Sequence, residues 1–277
     1  MSVHRILQAK KNHRRLAMLT AYDAPTAEIL YSCGVDITLV GDSLGMVLLG
    51  YASTRPVTMD EMVHHAKAVR RGAPKAFVIG DMPFQAVRGG APRALRAAKR
   101  FVNEAGCDAV KVEWRADALE IVERILRAGI PVMAHLGLTP QDAPKKGGFK
   151  VRAKNADEAA KVLRQAKLLE KAGVFGVLLE CVPKNVAEAV TRVVKVPTFG
   201  IGAGPSCDGQ VLVFHDLVGA FSKFRPKFVK AYGNADAMMR SAVTRYVRDV
   251  KSGRFPSDRH SFHMSAQERA RFKGLIR

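Results

Sequence analysis

Short, unbroken apolar runs alternate along the whole chain with stretches of helical period, and this rhythm restricts the fold more than any other feature. Eight runs read as strands: Leu16–Asp23, Ile37–Ser43, Ala76–Pro83, Ala109–Trp114, Val132–Leu138, Phe175–Val182, Thr198–Gly204 and Val211–Asp216. Between most of them lie helical patterns such as "TAEILYSCG", "MVHHAKAVRRG", "ALRAAKRFVNEAG", "ADALEIVERILRAG" and "ADEAAKVLRQAKLLEKAG". Several close on glycine with a basic residue in the last turn, which is a helix stop signal. A strand that is apolar at every position is buried on both faces, and such strands alternating with helices build a parallel sheet. Eight of them in roughly 250 residues predict a closed (β/α)8 TIM barrel over an open sheet. The barrel is expected to occupy the whole chain, 1–277, as one domain with a basic C-terminal extension at about 264–277. Little chain separates the seventh strand from the eighth, so the rhythm falters there. "NADAMMRSAVTRYVRDVKSG" then supplies a closing helix.

Ionisable residues stand where these runs end. Asp23, Asp42 and Asp81 close the first three, Glu113 the fourth, His135 lies late in the fifth, and Glu180 ends the sixth. The last two finish in "GIGAG" and "HD". In a parallel barrel all these ends face one rim, the rim on which barrel enzymes carry their active sites. Any single one of them is as readily a helix cap as a catalytic group; six on one rim point to a site. An acid at the end of a core strand, as in "LVGDSLGM", is expensive unless something neutralises it. A hard cation such as Mg²⁺ takes one or two carboxylates together with water and substrate, and Asp42 and Asp81 are the best pair. In "KVE" the two-residue strand period puts Lys111 and Glu113 on one face. A lysine buried there stays charged, and either grips a substrate carboxylate or carbonyl or forms a plain interior ion pair. "GIGAGPSCDG" lacks the spacing of a dinucleotide fingerprint and reads as close backbone approach or a turn.

Composition narrows the function classes. No run approaches the roughly 18 apolar residues of a membrane span. The four cysteines, Cys33, Cys107, Cys181 and Cys207, show no zinc or paired spacing, which fits free thiols in the cytoplasm. The formal net charge is +20, from 45 Lys and Arg against 25 Asp and Glu. Such a surface steers anions, but the basic residues are spread widely and no nucleic-acid motif interleaves them with aromatics. The first 22 residues lack any acid and contain "KKNHRR", a transit-peptide composition. "LAMLTAYD" follows at once, so the segment reads as the entry to the fold.

The blocks "LTAYD", "LVGDSLGMVLLGYASTRPVTMDEMVHHAKAVRRGAP", "GDMPF", "VKVE", "GIPVMAHLGLTPQ", "LLECVP" and "GIGAGPSCDGQVLVFHDLVG" run in order over nearly the whole chain. They resemble the ketopantoate hydroxymethyltransferase family. The resemblance implies a TIM barrel of the phosphoenolpyruvate/pyruvate superfamily, cytoplasmic and assembled as a homodecamer. It implies transfer of a one-carbon unit from 5,10-methylenetetrahydrofolate to 3-methyl-2-oxobutanoate, giving 2-dehydropantoate on the way to pantothenate and coenzyme A. Carried over by motif, Asp42 and Asp81 match Mg²⁺ carboxylates that also border the substrate, with Glu113 beside the metal through water. Ser43 and Lys111 match residues that hold the 2-oxo acid, His135 an active-site histidine, and Glu180 the general base. The chain departs from the family pattern in the more basic "GGFKVRAKN", in Trp114-Arg115 after "KVE", in "QAVRGGAPRAL" after "GDMPF", and in the tail past His263. Two other readings remain. One is a mutase or lyase of the same superfamily acting on an oxo acid, although a "KKCGH"-like loop is missing. The other is a basic barrel that binds nucleic acid or other anions, which has no use for converging carboxylates.

Overall fold

The computed structural model describes residues 1–141, 150–221 and 226–276. Eight parallel strands close into a barrel in sequence order: β1 Leu16–Thr20, β2 Ile37–Val40, β3 Val78–Asp81, β4 Ala109–Glu113, β5 Val132–Gly137, β6 Gly176–Glu180, β7 Thr198–Ile201 and β8 Gly209–Leu212. The helices are α1 Val3–Lys11, α2 Ala24–Ser32, α3 Leu44–Val47, α4 Met59–Gly72, α5 Phe84–Val87, α6 Gly90–Ala105, α7 Ala118–Arg127, α8 Ala156–Ala172, α9 Lys184–Val193, α10 Phe214–Leu217, α11 Ala235–Lys251 and α12 Ala266–Leu275. Of these, α2, α4, α6, α7, α8 and α9 pack each on the next around the outside of the barrel.

Strand period two divides the core. Inward residues such as Met18, Ile37, Leu39, Ile79, Met133, Leu178, Phe199 and Val211 fill the barrel, and α1 closes its lower end with Ile6 and Ala9. Outward residues such as Val40, Val78, Val110, Val112, Val177 and Leu179 meet the helices in a separate cluster. Each such side chain taken from water contributes about 1.5–3 kcal/mol. The acid-free N-terminal segment is therefore part of the fold, and α1 is held by the barrel floor.

The rhythm fails where the sequence is short. Residues 202–208 join β7 to β8 with no helix, so among the described residues the ring of packed helices that runs from α2 to α9 leaves the flank of β8 and β1 without one. On that flank Ala17 and Gln210 are exposed, and Leu19 and Leu212 are half-buried. The eighth strand is Gly209–Leu212 rather than the expected Val211–Asp216, and His215 and Asp216 lie in α10. The remaining strands are also shorter than the apolar runs, because the runs continue into rim turns that keep their side chains buried. Asp23 is one such case: it caps α2, accepting from the Thr26 amide at 2.8 Å and the Thr26 hydroxyl at 3.0 Å. Of the basic "GGFKVRAKN", residues 147–149 lie outside the described residues, as do residues 222–225 of "FSKFRPKFVKAY".

Candidate active site

Strand register assembles the rim chemistry. Asp81 of β3 pairs with Lys111 of β4, Glu113 of β4 with His135 of β5, and Gly137 of β5 with Glu180 of β6. Lys111 and Glu113 are two residues apart, so both point inward. Asp42 and Ser43 follow β2 directly. Asp42, Ser43, Asp81, Lys111, Glu113, His135 and Glu180 all line one cavity of about 280 Å³. Its remaining wall is largely apolar and includes Leu39, Met46, Val47, Leu178, Ile201, Val211 and Phe228. Asp23 is not part of that lining, whereas Asp216 reaches it from α10.

Five carboxylates, those of Asp42, Asp81, Glu113, Glu180 and Asp216, thus line one cavity with Lys111, Lys227 and His135, and Asp42, Asp81, Lys111, Glu113 and His135 are buried. The Lys111 ammonium lies 2.8 Å from Asp81 Oδ1 and 4.0 Å from Glu113 Oε1. Burial pulls its pKa down, but Asp81, Glu113 and Asp42 outweigh burial and hold it above the ordinary lysine range. Asp42 is pushed well above the usual carboxylate range, first by burial and then by the charges of Asp81 and Glu113. An interior this short of cations favours a proton on Asp42, or a metal beside it.

His135 bridges the two acids above it. Its Nδ1 is 3.4 Å from Glu113 Oε1 and its Nε2 is 3.2 Å from Glu180 Oε2, while Lys111 Nζ approaches Nδ1 at 3.2 Å. Burial and the Lys111 charge lower its pKa, but Glu113 and Glu180 lift it to about 9. The folded protein therefore holds this proton more tightly than the unfolded chain does. The associated stability is complete below pH 6.5 and is lost as the pH rises through 9. Thermal unfolding of metal-free protein should show this loss, on the order of 1 kcal/mol, between pH 6.5 and 9. A His135→Gln variant should flatten the slope; if the slope persists, another group is responsible.

Two supporting residues escape a reading based on strand ends. Gln141, on the loop after β5, is 2% exposed. Its side-chain amide donates to Asp42 Oδ2 and to the Met82 carbonyl, both at 2.9 Å, and its backbone N–H donates to Glu113 Oε2 at 3.2 Å. One residue thereby ties the ends of β2, β3 and β4 together. Its only signal in the sequence is its place in "HLGLTPQ". Gly137 has φ +96°, and a Cβ there would lie 2.3 Å from the Glu180 carbonyl oxygen. Only glycine lets β5 pass that close to the strand carrying Glu180. Immediately after Glu180, Cys181 adopts φ +48°, a left-handed conformation that a non-glycine residue holds only under constraint. Its amide donates to the Ile201 carbonyl at 2.9 Å, and its carbonyl accepts from the Arg152 amide at 2.9 Å.

Among the described residues no helix is long and apolar enough to cross a membrane, and all four cysteines are free. The barrel is shared with phosphonopyruvate hydrolase crystallised with oxalate and Mg²⁺ (TM-score 0.60, 14% identity, 99% of each chain). It is shared also with 2,3-dimethylmalate lyase of the PEP mutase/isocitrate lyase superfamily (TM-score 0.62, 17% identity, 100% of this chain and 93% of that one). Much nearer in sequence is a 3-methyl-2-oxobutanoate hydroxymethyltransferase of Desulfotalea psychrophila, 51% identical over 269 residues, covering 97% of this chain and 96% of the relative. A Thermus thermophilus protein of the same name is 51% identical over 249 residues, covering 90% and 95%. The family model described as ketopantoate hydroxymethyltransferase matches residues 1–258 and so takes in every strand and every residue of the cavity. By its barrel, its rim and its sequence, the chain belongs to the ketopantoate hydroxymethyltransferase family.

Proposed function

We propose that this protein transfers a hydroxymethyl group from 5,10-methylenetetrahydrofolate to 3-methyl-2-oxobutanoate with Mg²⁺, forming 2-dehydropantoate in pantothenate and coenzyme A biosynthesis. The observation that carries this reading is one largely apolar cavity in which Glu180, Lys111 and the Asp42–Asp81 pair converge, in a chain of this family.

The acids suit a hard cation. Among the described residues, no three His, Cys, Asp or Glu side chains form a ready metal cage. Mg²⁺ does not ask for one, since it keeps waters and substrate oxygens beside one or two carboxylates. The buried Asp81 carboxylate faces Lys111 at 2.8 Å, and Asp42 carries the repulsion of two neighbouring acids. Asp42 and Asp81 would hold the ion, with Glu113 beside it through water. Bound there, Mg²⁺ supplies Lewis acidity to the 2-oxo group, which makes the C3 proton removable.

The chain's own groups do the rest. Lys111 binds the substrate carboxylate, and Ser43 adds a hydrogen bond to it. Glu180 takes the C3 proton, and His135 holds Glu180 in place from Nε2. Water cleaves the two C–N bonds that hold the one-carbon unit on the folate, its protons going to the two nitrogens so that tetrahydrofolate leaves. The deprotonated C3 then forms the C–C bond to the freed one-carbon unit, and the oxygen from water takes back the proton from Glu180 to become the hydroxyl. The apolar wall keeps other water from protonating the carbanion. The carboxylates that line the cavity repel phosphates, which disfavours the nucleic-acid reading of the +20 charge.

The assay is purified protein with 3-methyl-2-oxobutanoate, 5,10-methylenetetrahydrofolate and Mg²⁺, with and without chelator; no 2-dehydropantoate from the complete mixture refutes the reading. Asp42→Asn and Asp81→Asn should each raise the Mg²⁺ concentration for half-maximal activity at least 10-fold, and Gln141→Ala should raise it by less. A metal titration that superimposes on wild type removes the residue concerned from the metal site.

The same proposal takes the working form to be a homo-oligomer, for which the resemblance implies a decamer. α11 has no buried residue, and Met239, Val243, Tyr246 and Val250 form one stripe along it, 47%, 60%, 57% and 44% exposed. The open flank over β8 and β1 lacks a covering helix. A second copy that covers both apolar surfaces removes them from water together. The four free cysteines suit a cytoplasmic location.

A further inference from the structure

We propose that Thr54 is a further substrate-binding residue, whose hydroxyl donates to an oxygen of the bound 2-oxo acid. The inference rests on the substrate reading above and adds to it a residue that no strand carries.

Thr54 lines the cavity from the connection between α3 and α4 and is 4% exposed. Its Oγ1 is shut off from solvent and has no hydrogen-bond partner among the described residues. A threonine in a turn ordinarily spends its hydroxyl on nearby backbone, and a buried hydroxyl left unpaired is costly. The backbone of Thr54 carries no such cost at its carbonyl, which accepts from the Val57 amide at 3.1 Å. With solvent shut out and no described protein group bonded to it, the hydroxyl finds a partner only in what fills the cavity.

The segment is pinned next to the acids of the cavity. The Tyr51 amide donates to the Gly45 carbonyl at 2.7 Å. A Cβ on Gly45 would lie 2.5 Å from Val57 Cγ2 and 3.5 Å from the Ser53 carbonyl oxygen. Residues 51–57 therefore press against the turn that begins with Asp42 and Ser43. Arg55 sets its guanidinium over the Phe84 ring, 4.4 Å from the centroid, and Phe84 follows Asp81 in "GDMPF". The Tyr51 hydroxyl donates to Glu61 Oε1 at 2.5 Å, and Glu61 closes a capping box with Thr58 at the head of α4. Thr54 is thus anchored from both sides to the turns after β2 and β3, which carry Asp42, Ser43 and Asp81.

The chemistry is complementary. At neutral pH the oxo acid carries only acceptor oxygens, so any hydroxyl that meets it must donate. Lys111 is engaged by Asp81 at 2.8 Å, and Ser43 shares a hydrogen bond with Tyr22. Thr54 brings a hydroxyl with no such commitment.

The test compares wild type, Thr54→Val and Thr54→Ser in thermal unfolding without ligand and in calorimetric binding of 3-methyl-2-oxobutanoate to the Mg²⁺-loaded protein. Valine keeps nearly the same shape and removes only the hydroxyl. Thr54→Val should weaken oxo-acid binding by about 10-fold without lowering the unfolding midpoint, because no internal hydrogen bond is lost. Mg²⁺ affinity in the absence of oxo acid should not change. Thr54→Ser, which restores the hydroxyl, should recover most of the affinity. Wild-type affinity in Thr54→Val, a lowered midpoint, an equal loss of Mg²⁺ affinity, or a Thr54→Ser as weak as Thr54→Val each overturn the proposal and leave the substrate reading intact. A wild type that binds no oxo acid overturns the substrate reading, and this inference with it. Should Thr54→Val fail to fold, Thr54→Ala takes its place against Thr54→Ser: an affinity gap of about 10-fold supports the proposal, and equal affinities overturn it.

Discussion

Replacing Glu180 with glutamine is expected to reduce turnover by about 10²–10⁴-fold, the usual contribution of a positioned general base, while the protein still binds the oxo acid with Mg²⁺. Glutamine keeps the volume and the contact with His135 but has no basic oxygen. Glu180 differs from the other acids of the cavity in two ways. Its side chain is 17% exposed against 3–4% for Asp81 and Glu113, so it can pass a proton on to water. It also lies apart from Lys111, which is occupied with Asp81 and Glu113. Exchange of the C3 proton of 3-methyl-2-oxobutanoate with deuterated water, without folate, isolates this step. Wild type should catalyse the exchange and Glu180→Gln should not. Exchange at the wild-type rate in the variant would falsify the assignment.

The second large effect concerns stability. Lys111→Met should destabilise the protein by about 3–5 kcal/mol near neutral pH, the cost of leaving a buried charge group without its partner. Methionine fills nearly the same volume, so the loss is electrostatic rather than a cavity. Lys111 is the cation shared by Asp42, Asp81 and Glu113. Without it nothing offsets burial and the charges of Asp81 and Glu113 at Asp42, which is pushed further up and takes up a proton. An acid whose folded pKa is raised gives its stability below its unfolded pKa and loses it as the pH rises through the folded one. The deficit of the variant should therefore shrink on acidification from pH 8 to pH 5 and shrink also on adding Mg²⁺. Denaturant unfolding at the two pH values, with and without Mg²⁺, measures both. A deficit independent of pH and metal would show that Lys111 matters for packing alone.

Most of the strands were legible because a strand buried on both faces has little freedom in its pattern: β2, β3, β5 and β6 are almost wholly apolar until the rim. The rim residues were legible for the complementary reason, since Asp42, Asp81, Glu113, His135 and Glu180 interrupt runs that packing alone would continue. What the pattern hid was the termination of those runs. Asp23 interrupts its run in the same way, yet its carboxylate turns back to cap α2, and nothing in spacing separates a cap from a ligand. His215 and Asp216 looked like the end of β8 because Val211 to Phe214 is apolar throughout, but the chain had already turned into α10. Gln141 was hidden because its work depends on contacts made across three other strands, which no local window contains.

The pairings Asp81 with Lys111, Glu113 with His135, and Gly137 with Glu180 carry one more consequence. Asp81, Lys111, Glu113, His135 and Glu180 sit on the hydrogen-bonded ladder itself, whereas Asp42 and Ser43 follow β2 on the rim. Amide exchange at Lys111, Glu113 and His135 should then require the global opening of the barrel rather than local fraying. Activity and the native state are lost in one event, and no half-unfolded species retains a working site.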